Sequence, residues 1–160
     1  MLRLNKLTDY AIVILVQMAR DPLVRYNTPA LANATGLTET TVAKILKDLS
    51  KDGIVQSTRG ASGGYMLSKD RAAVTVRHVI EAIEGPIAIA DCVEGAGGAC
   101  AALSCHVRGN WDRVNEAIIA ALDAVTLCDM VLSAPSRIYD IDAPTACSAQ
   151  QEKALPNTAC

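Results

Sequence analysis

The sequence predicts a mainly α-helical protein with a small β-wing, and three observations indicate this fold class. Two short amphipathic segments separated by Gly36 have the pattern of a helix-turn-helix unit. Two β-like runs that flank the glycine-rich stretch RGASGG follow directly, as expected of a wing. Apolar residues then recur at about 3.5-residue spacing over residues 110–124, which predicts a long helix. The predicted architecture is a winged helix-turn-helix unit followed by a long helix.

Length and composition limit the class of protein. The chain has 160 residues, of which 51% are hydrophobic, so a single domain can bury a large core. The sequence shows neither a long uninterrupted apolar run nor a small-residue cleavage site near its N-terminus, which predicts a cytoplasmic protein without a membrane span. It contains no nucleophile–base constellation and no phosphate-binding loop, so an ordinary enzyme is not indicated.

The charge is distributed unevenly along the chain. Residues 1–90 carry 11 Lys and Arg against 8 Asp and Glu, a balance of +3. Residues 91–160 carry 4 against 9, a balance of −5, which gives the net charge of −2. A mildly basic first half is compatible with a nucleic-acid partner, although local patches matter more than totals.

The first half contains three predicted helices. Residues 9–20 are apolar on nearly every side, which predicts a buried central helix. The next helix has Thr28 as its N-cap, Pro29 at its first position and Gly36 as its C-terminal stop. The third begins near Thr38 and ends at residue 53, with one apolar face. That face consists of Val42, Ile45, Leu46 and Leu49.

The opposite face of the third helix carries small hydroxyl donors and long cations, which suit base edges and phosphates in a DNA major groove. The predicted DNA-binding residues are Thr38, Thr40, Thr41, Lys44, Lys47 and, at the tip of the hairpin, Arg59. An arginine at a wing tip can enter a narrow minor groove. The alternatives are a solvated lysine face and a loop arginine that contacts nothing.

Three further helices are predicted after the hairpin. Thr75 caps a helix that ends at Gly85-Pro86. The long helix over residues 110–124 has an apolar seam that can pack on its own domain or on a partner helix. Thr126 and Asp129 form a capping-box pattern before a short last helix, residues 127–132. The seam residues are Trp111, Val114, Ile118, Ala121, Leu122 and Val125, with Trp111 expected to anchor packing.

These elements suggest four regions. We expect a winged helix-turn-helix domain at residues 1–86, a cysteine-rich loop at 87–108 and dimerisation helices at 109–134. The remainder, residues 135–160, is rich in alanine, serine and proline and is expected to lack fixed structure.

The stretch DCVEGAGGACAALSCH holds Cys92, Cys100 and Cys105 among glycine and alanine. In a reducing compartment, clustered thiols indicate ligands or redox groups rather than structural disulfides. Thiolates are the usual ligands of iron–sulfur clusters, and small residues leave room for inorganic atoms. Zinc and metal-free thiol sensing are the alternatives, although a structural zinc site usually contains a tighter C-x2-C to C-x4-C pair than the first gap here.

The other cysteines and His78 are interpreted more simply. Cys128 lies in a predicted helix and is interpreted as a small core residue, whereas Cys147 and Cys160 lie in the tail and are poor ligand candidates. His78 is predicted to be a surface residue of its helix.

Four motifs in order resemble one family. LTDYA near the N-terminus, RGASGGY in the wing, the three-cysteine loop, and CHVRGNW leading into the long helix resemble the Rrf-two family of bacterial transcription regulators over about residues 1–134. Within it, the chain looks most like regulators of Suf-type iron–sulfur cluster assembly, and is similar also to the Isc-type regulators and the nitric-oxide-sensing repressors. The resemblance implies a homodimer that binds palindromic promoter DNA and carries an iron–sulfur cluster, commonly [2Fe-2S].

Three thiolates leave a fourth cluster ligand to be supplied. Asp9 lies where some family members supply an acidic ligand from the other subunit, and His106 is adjacent to Cys105. The family's histidine ligand falls three residues after the third cysteine, which is Arg108 here. The function expected is cluster-dependent regulation, typically repression, of cluster-assembly genes. The alternative is a cluster-carrying or thiol-redox protein without promoter-specific DNA binding.

Overall fold

The computed structural model describes residues 3–60, 63–91, 93 and 110–132. Within these residues the chain is mostly helical, with one small antiparallel sheet and a single 3-10 turn at Arg71–Ala73. The elements in chain order are α1 (Lys6–Arg20), α2 (Thr28–Thr35), α3 (Glu39–Lys51), β1 (Val55–Thr58), β2 (Gly64–Leu67), α4 (Val76–Glu84), α5 (Asn110–Asp123) and α6 (Leu127–Leu132). This arrangement confirms the predicted fold class.

Helix α1 lies at the centre of the core, as its composition predicts. It contacts α2, α3, α4 and α6, and its side chains Ala11, Ile14 and Leu15 are fully buried. The helix begins three residues earlier than predicted because the side chain of Asn5 accepts a hydrogen bond from the backbone of Leu7 at 3.2 Å. It is not buried on every side, since Val13 is 41% exposed.

Helices α2 and α3 form the helix-turn-helix unit. The N-cap of α2 is Asn27 and not the predicted Thr28, because Asn27 Oδ1 accepts from the Ala30 N–H at 2.8 Å. Gly36 ends α2 in the left-handed conformation, at φ 71°, as predicted. Helix α3 has Thr38 as its N-cap and buries the predicted apolar face, Val42, Ile45, Leu46 and Leu49.

The wing is a hairpin in which β1 and β2 pair antiparallel from Val55 opposite Leu67 to Thr58 opposite Gly64. Ile54 is buried immediately before β1. Gly63 is required at the turn because a Cβ there would lie 2.3 Å from the Thr58 carbonyl oxygen.

The caps of the last helices follow the predictions. Thr75 caps α4 and Gly85 ends it. His78 is exposed, as predicted, but its Nδ1 also accepts from the Thr75 N–H at 3.2 Å and completes a capping box. At the start of α6, Asp129 Oδ2 accepts from the Thr126 N–H at 2.9 Å, and the Thr126 hydroxyl accepts from the Asp129 N–H at 3.2 Å.

The corner between α5 and α6 is tied to the start of α4. The Val76 N–H donates to the Val125 carbonyl, and the Leu127 N–H donates to the Val74 carbonyl, both at 2.9 Å. Beside these bonds, Asp123 accepts from Arg77 at 3.0 Å. Helices α4, α5 and α6 are therefore joined through one hydrogen-bonded corner.

None of the helices in the described ranges combines the length and apolar character required to cross a membrane.

Candidate nucleic-acid interface and cysteine segment

The first turn of α3 presents a cluster of hydroxyl groups. The Thr38 side chain lies 3.1 Å from the hydroxyl of Thr40 and 2.8 Å from that of Thr41. Thr38 and Thr40 are exposed, whereas Thr41 is half-buried. Because Thr38 also caps the helix, the hydroxyls are held at its N-terminus, where backbone N–H groups and the helix dipole favour an anion such as a phosphate.

The lysines predicted for the interface lie on the exposed face of α3. Lys51 pairs with Asp48 at 2.7 Å, whereas Lys44 and Lys47 are exposed and form no ion pair within the described part of the chain. The hydrogen bond from Lys51 holds the pKa of the Asp48 carboxyl below its usual value. The charges of Lys44 and Lys47 lower the same pKa further, as expected of a positive surface.

The wing is braced against the helix-turn-helix unit by contacts that the sequence did not indicate. Tyr26, just before α2, exchanges backbone hydrogen bonds with Tyr65 of β2 at 2.9 and 2.8 Å. Arg25 donates from Nη1 to the Thr58 hydroxyl at 2.6 Å. The β-favouring run LVRY was the signal available in the sequence, but its partner is remote. Arg59 follows β1 directly and is exposed. By holding the wing in place, these contacts fix the position from which Arg59 extends into solvent.

Asp9 is exposed in the first turn of α1. Its neighbour Thr8 is fully buried and donates its hydroxyl to Glu84 Oε1, at the end of α4. The same carboxylate oxygen accepts from the Asn5 N–H at 3.1 Å. Glu84 therefore anchors the N-terminus of α1, and the Asp9 carboxylate remains at the surface.

The predicted cluster ligands Cys92, Cys100, Cys105 and His106 lie outside the described residues, as do Cys147 and Cys160. Within the described ranges, no group of three or more His, Cys, Asp and Glu side chains is placed to hold a metal ion. Cys128 is fully buried, as predicted for a core residue, and it is disulfide-bonded, which the sequence did not predict.

The apolar seam of α5 is largely exposed in the part of the chain that the structure describes. Trp111 and Val114 are 40% and 41% exposed, and Val125, which lies just beyond the end of α5, is 37% exposed. The core formed by the described residues does not enclose Trp111, so its role as a packing anchor stays a prediction. Among the described residues, Leu122 of the seam packs, partly buried, against the hydrophobic core.

The structure brings the predicted DNA-binding side chains together on α3 and beside a wing that is held in place. A helix-turn-helix unit with an exposed hydroxyl and lysine face, followed by this hairpin, defines a winged-helix, DNA-binding transcriptional regulator. The chain belongs to the Rrf2 family: the model of that family, described as an iron-dependent transcriptional regulator, matches residues 4–133.

Individual relatives agree with this assignment. The chain is 29% identical over 132 residues to the HTH-type transcriptional regulator NsrR of Geobacillus kaustophilus, covering 81% of this chain and 90% of that protein. It is 28% identical over 127 residues to the HTH-type transcriptional regulator IscR of Salmonella agona, covering 76% and 77%. The solved structure of CymR, the global cysteine regulator of B. subtilis, superposes with a TM-score of 0.66 at 26% identity, covering 82% of this chain and 97% of that one.

Proposed function

We propose that this regulator is a cytoplasmic homodimer whose affinity for palindromic promoter DNA depends on an iron–sulfur cluster, taken to be [2Fe-2S]. Repression of iron–sulfur cluster assembly genes is the output that we assign to it. One Rrf2-family chain combines two features, and this combination carries the proposal. The first is the recognition face of α3, its exposed hydroxyl and lysine side chains, and the second is the cysteine segment, Cys92–Cys105, between α4 and α5.

The DNA contacts are assigned from the exposed surface. We place α3 in the major groove, with the first-turn hydroxyls of Thr38, Thr40 and Thr41 near base edges or phosphates. Lys44 and Lys47 reach the backbone phosphates on either side. Arg59, at the end of β1, enters the adjacent minor groove.

Cys92, Cys100 and Cys105 are assigned as cluster ligands. The donor set suits the group, because thiolates bind iron–sulfur clusters and an imidazole is an accepted replacement for one of them. When bound, the cluster supplies a redox-sensitive centre that oxidants or iron shortage can remove. The fourth ligand is Asp9 of the partner subunit or His106. The exposure of Asp9 supports the first assignment, since a carboxylate at the surface can reach another chain.

The α5 seam is assigned as the dimer contact. Three of its side chains are more than a third exposed although they are large and apolar. Burying them against a second α5 would remove this surface from water and contribute about 25 cal/mol per Å² of apolar area. A two-fold dimer would also present two α3 helices to a palindromic site.

The cluster is tested by anaerobic purification followed by visible absorption and assays of iron and acid-labile sulfide. We expect a coloured protein with equal iron and sulfide, and loss of both in Cys100→Ser. Ser104→Ala is the matched control, since it changes the residue beside Cys105 and removes no thiol. A colourless chain, or one that binds zinc alone after reconstitution, would contradict the proposal.

The same assay separates the two fourth-ligand assignments. Asp9→Ala should shift the absorption spectrum and speed cluster loss if the partner's carboxylate is the ligand, with His106→Ala unchanged. The reverse pattern would assign His106.

A further inference from the structure

We propose that Asn115 is a positioning residue that fixes residues 87–89, and hence the start of the cysteine segment, on helix α5. Asn115 lies in the second turn of α5, and its side chain is 5% exposed. A helix position with a polar side chain ordinarily faces solvent. Here the amide is buried because it binds backbone that is remote in sequence.

Both ends of the Asn115 amide are used. Oδ1 accepts from the Ile89 N–H at 3.1 Å, and Nδ2 donates to the Ile87 carbonyl at 3.0 Å. The two bonds reach residues two apart in the chain, so one side chain holds the backbone on both sides of Ala88. Replacing Asn115 by an apolar residue would leave a partly buried N–H and C=O unpaired, which is costly.

The connection between α4 and the cysteine segment is anchored at both of its ends. Among the described residues, Thr8 and Asn115 are the buried polar side chains. Thr8 binds Glu84, at the end of α4, and Asn115 binds residues 87–89. Pro86 lies between the anchors and restricts the backbone further. The two buried polar side chains of the described residues, Thr8 and Asn115, therefore both hold the short connection that follows α4.

The anchored connection leads directly to the first assigned ligand. Cys92 follows Ile89 by three residues in the sequence. Val93, the next residue, is 7% exposed and its N–H donates to the Ala90 carbonyl at 3.0 Å. Residues 87–89 are bonded to α5, so a displacement of this stretch or of α5 strains two partly buried hydrogen bonds. Asn115 thus couples the start of the cysteine segment to the helix that carries the dimer seam.

This inference deepens the proposed function and rests on it for its consequence in the loaded protein, but its geometry is tested without any cluster. Amide hydrogen exchange is measured on the metal-free chain and on Asn115→Leu. We expect the Ile89 amide to exchange at least tenfold faster in the variant, with the amides of α1 and α3 unchanged. Glu116→Leu, which places the same side chain at the exposed neighbouring position, should leave Ile89 protected.

Asn115→Asp is the second variant, in case Asn115→Leu does not fold. It retains an acceptor for the Ile89 N–H but, when ionised, cannot donate to the Ile87 carbonyl. At pH 8 we expect the Ile89 amide to exchange faster in Asn115→Asp than in the natural chain. At pH 5.5 we expect it to exchange as in the natural chain at that pH, because burial favours the protonated carboxyl, which can donate. A purely space-filling role would give no such recovery.

The loaded protein supplies the functional readout. Asn115→Leu should alter the visible circular dichroism of the cluster and speed its loss in air severalfold, whereas Glu116→Leu should match the natural chain. Unchanged Ile89 exchange in both Asn115 variants would overturn the inference whatever the cluster does. A natural chain without iron and sulfide would instead overturn the proposed function, and the exchange experiment would still decide the role of Asn115.

Discussion

At the scale of single residues, the recognition face of α3 depends on which cations are already paired. Lys51 is paired with Asp48, whereas Lys44 is exposed and forms no ion pair within the described residues. A lysine that neutralises one phosphate releases a condensed counterion when DNA binds. The free energy that Lys44 adds to DNA binding should therefore depend on salt and not on sequence.

Lys44→Ala should weaken binding to all DNA sequences alike and reduce the slope of log K against log salt by about 1. Fluorescence anisotropy of a labelled duplex over a series of salt concentrations measures both quantities. Lys69→Ala is the control, because Lys69 is also an exposed lysine but lies beyond the base of the wing, away from its tip. Unchanged affinity and slope in Lys44→Ala would remove that residue from the interface.

At the scale of elements, Asp123 joins α5 to α4. It accepts from Arg77 at 3.0 Å and from the Thr75 hydroxyl at 3.0 Å. The hydrogen bond from Arg77 lowers the pKa of the Asp123 carboxyl, and Thr75 adds to the effect. A carboxyl whose pKa is lower in the folded state stabilises the fold at pH values above its pKa in the unfolded chain, about 3.9. It ceases to do so as the pH falls through its pKa in the folded state.

Asp123→Asn should therefore lower the melting temperature at pH 7, and the difference from the natural chain should shrink below about pH 4. The side chains of Arg77 and Asp123 are 36% and 38% exposed, so solvent screening limits the expected loss to about 0.5–1 kcal/mol, or about 3 °C. Thermal unfolding followed by circular dichroism over a pH series measures this. Glu116→Gln, an exposed carboxylate on the same helix, should show neither effect. A pH-independent difference would show that the charge of Asp123 is not responsible.

Elements that rest on local signals could be predicted from the sequence, whereas those that rest on remote partners could not. The apolar face of α3 and the Thr126 cap followed from spacing alone. The sequence could not predict that Asn27 rather than Thr28 caps α2, because both residue types cap helices and the choice depends on backbone angles. The burial of Asn115 depends on backbone that lies 26 and 28 residues away.

The candidate site likewise contains features that could be predicted from local patterns and features that depend on remote contacts. The exposed α3 face followed from periodicity, whereas its brace, the pairing of Tyr26 with Tyr65, brings together residues that no spacing rule connects. The exposure of Trp111 in a single chain could not be predicted either, because helical periodicity identifies an apolar seam without saying which surface covers it.

At the scale of the whole molecule, we expect the exposed α5 seam to determine the oligomeric state. Val114→Glu places a charge on that surface and should convert a dimer to a monomer, because an unpaired carboxylate is costly to bury. Analytical ultracentrifugation gives the mass directly. Val24→Glu is the matched control, since Val24 is 47% exposed and lies outside the seam. A Val114→Glu protein that remains dimeric would place the interface elsewhere.

Under the proposed function, a dimer with an exposed α3 face and a cluster bound to its cysteine segment is expected to change its DNA affinity with the state of the cluster. Such a change is a shift between two populations of the dimer, and its size equals the difference in DNA-binding free energy between them. The corner joining α4, α5 and α6 and the Asn115 anchor are the described contacts through which the segment can act on the DNA-binding unit.

The most direct test is the affinity of cluster-loaded and cluster-free protein for a palindromic duplex selected from a random pool by either form. Titrations are made anaerobically at one salt concentration. We predict that the two forms differ at least tenfold, about 1.4 kcal/mol, and that Cys105→Ser behaves as the cluster-free form however it is prepared. Equal affinity of the two forms for every selected duplex would contradict cluster control of DNA binding.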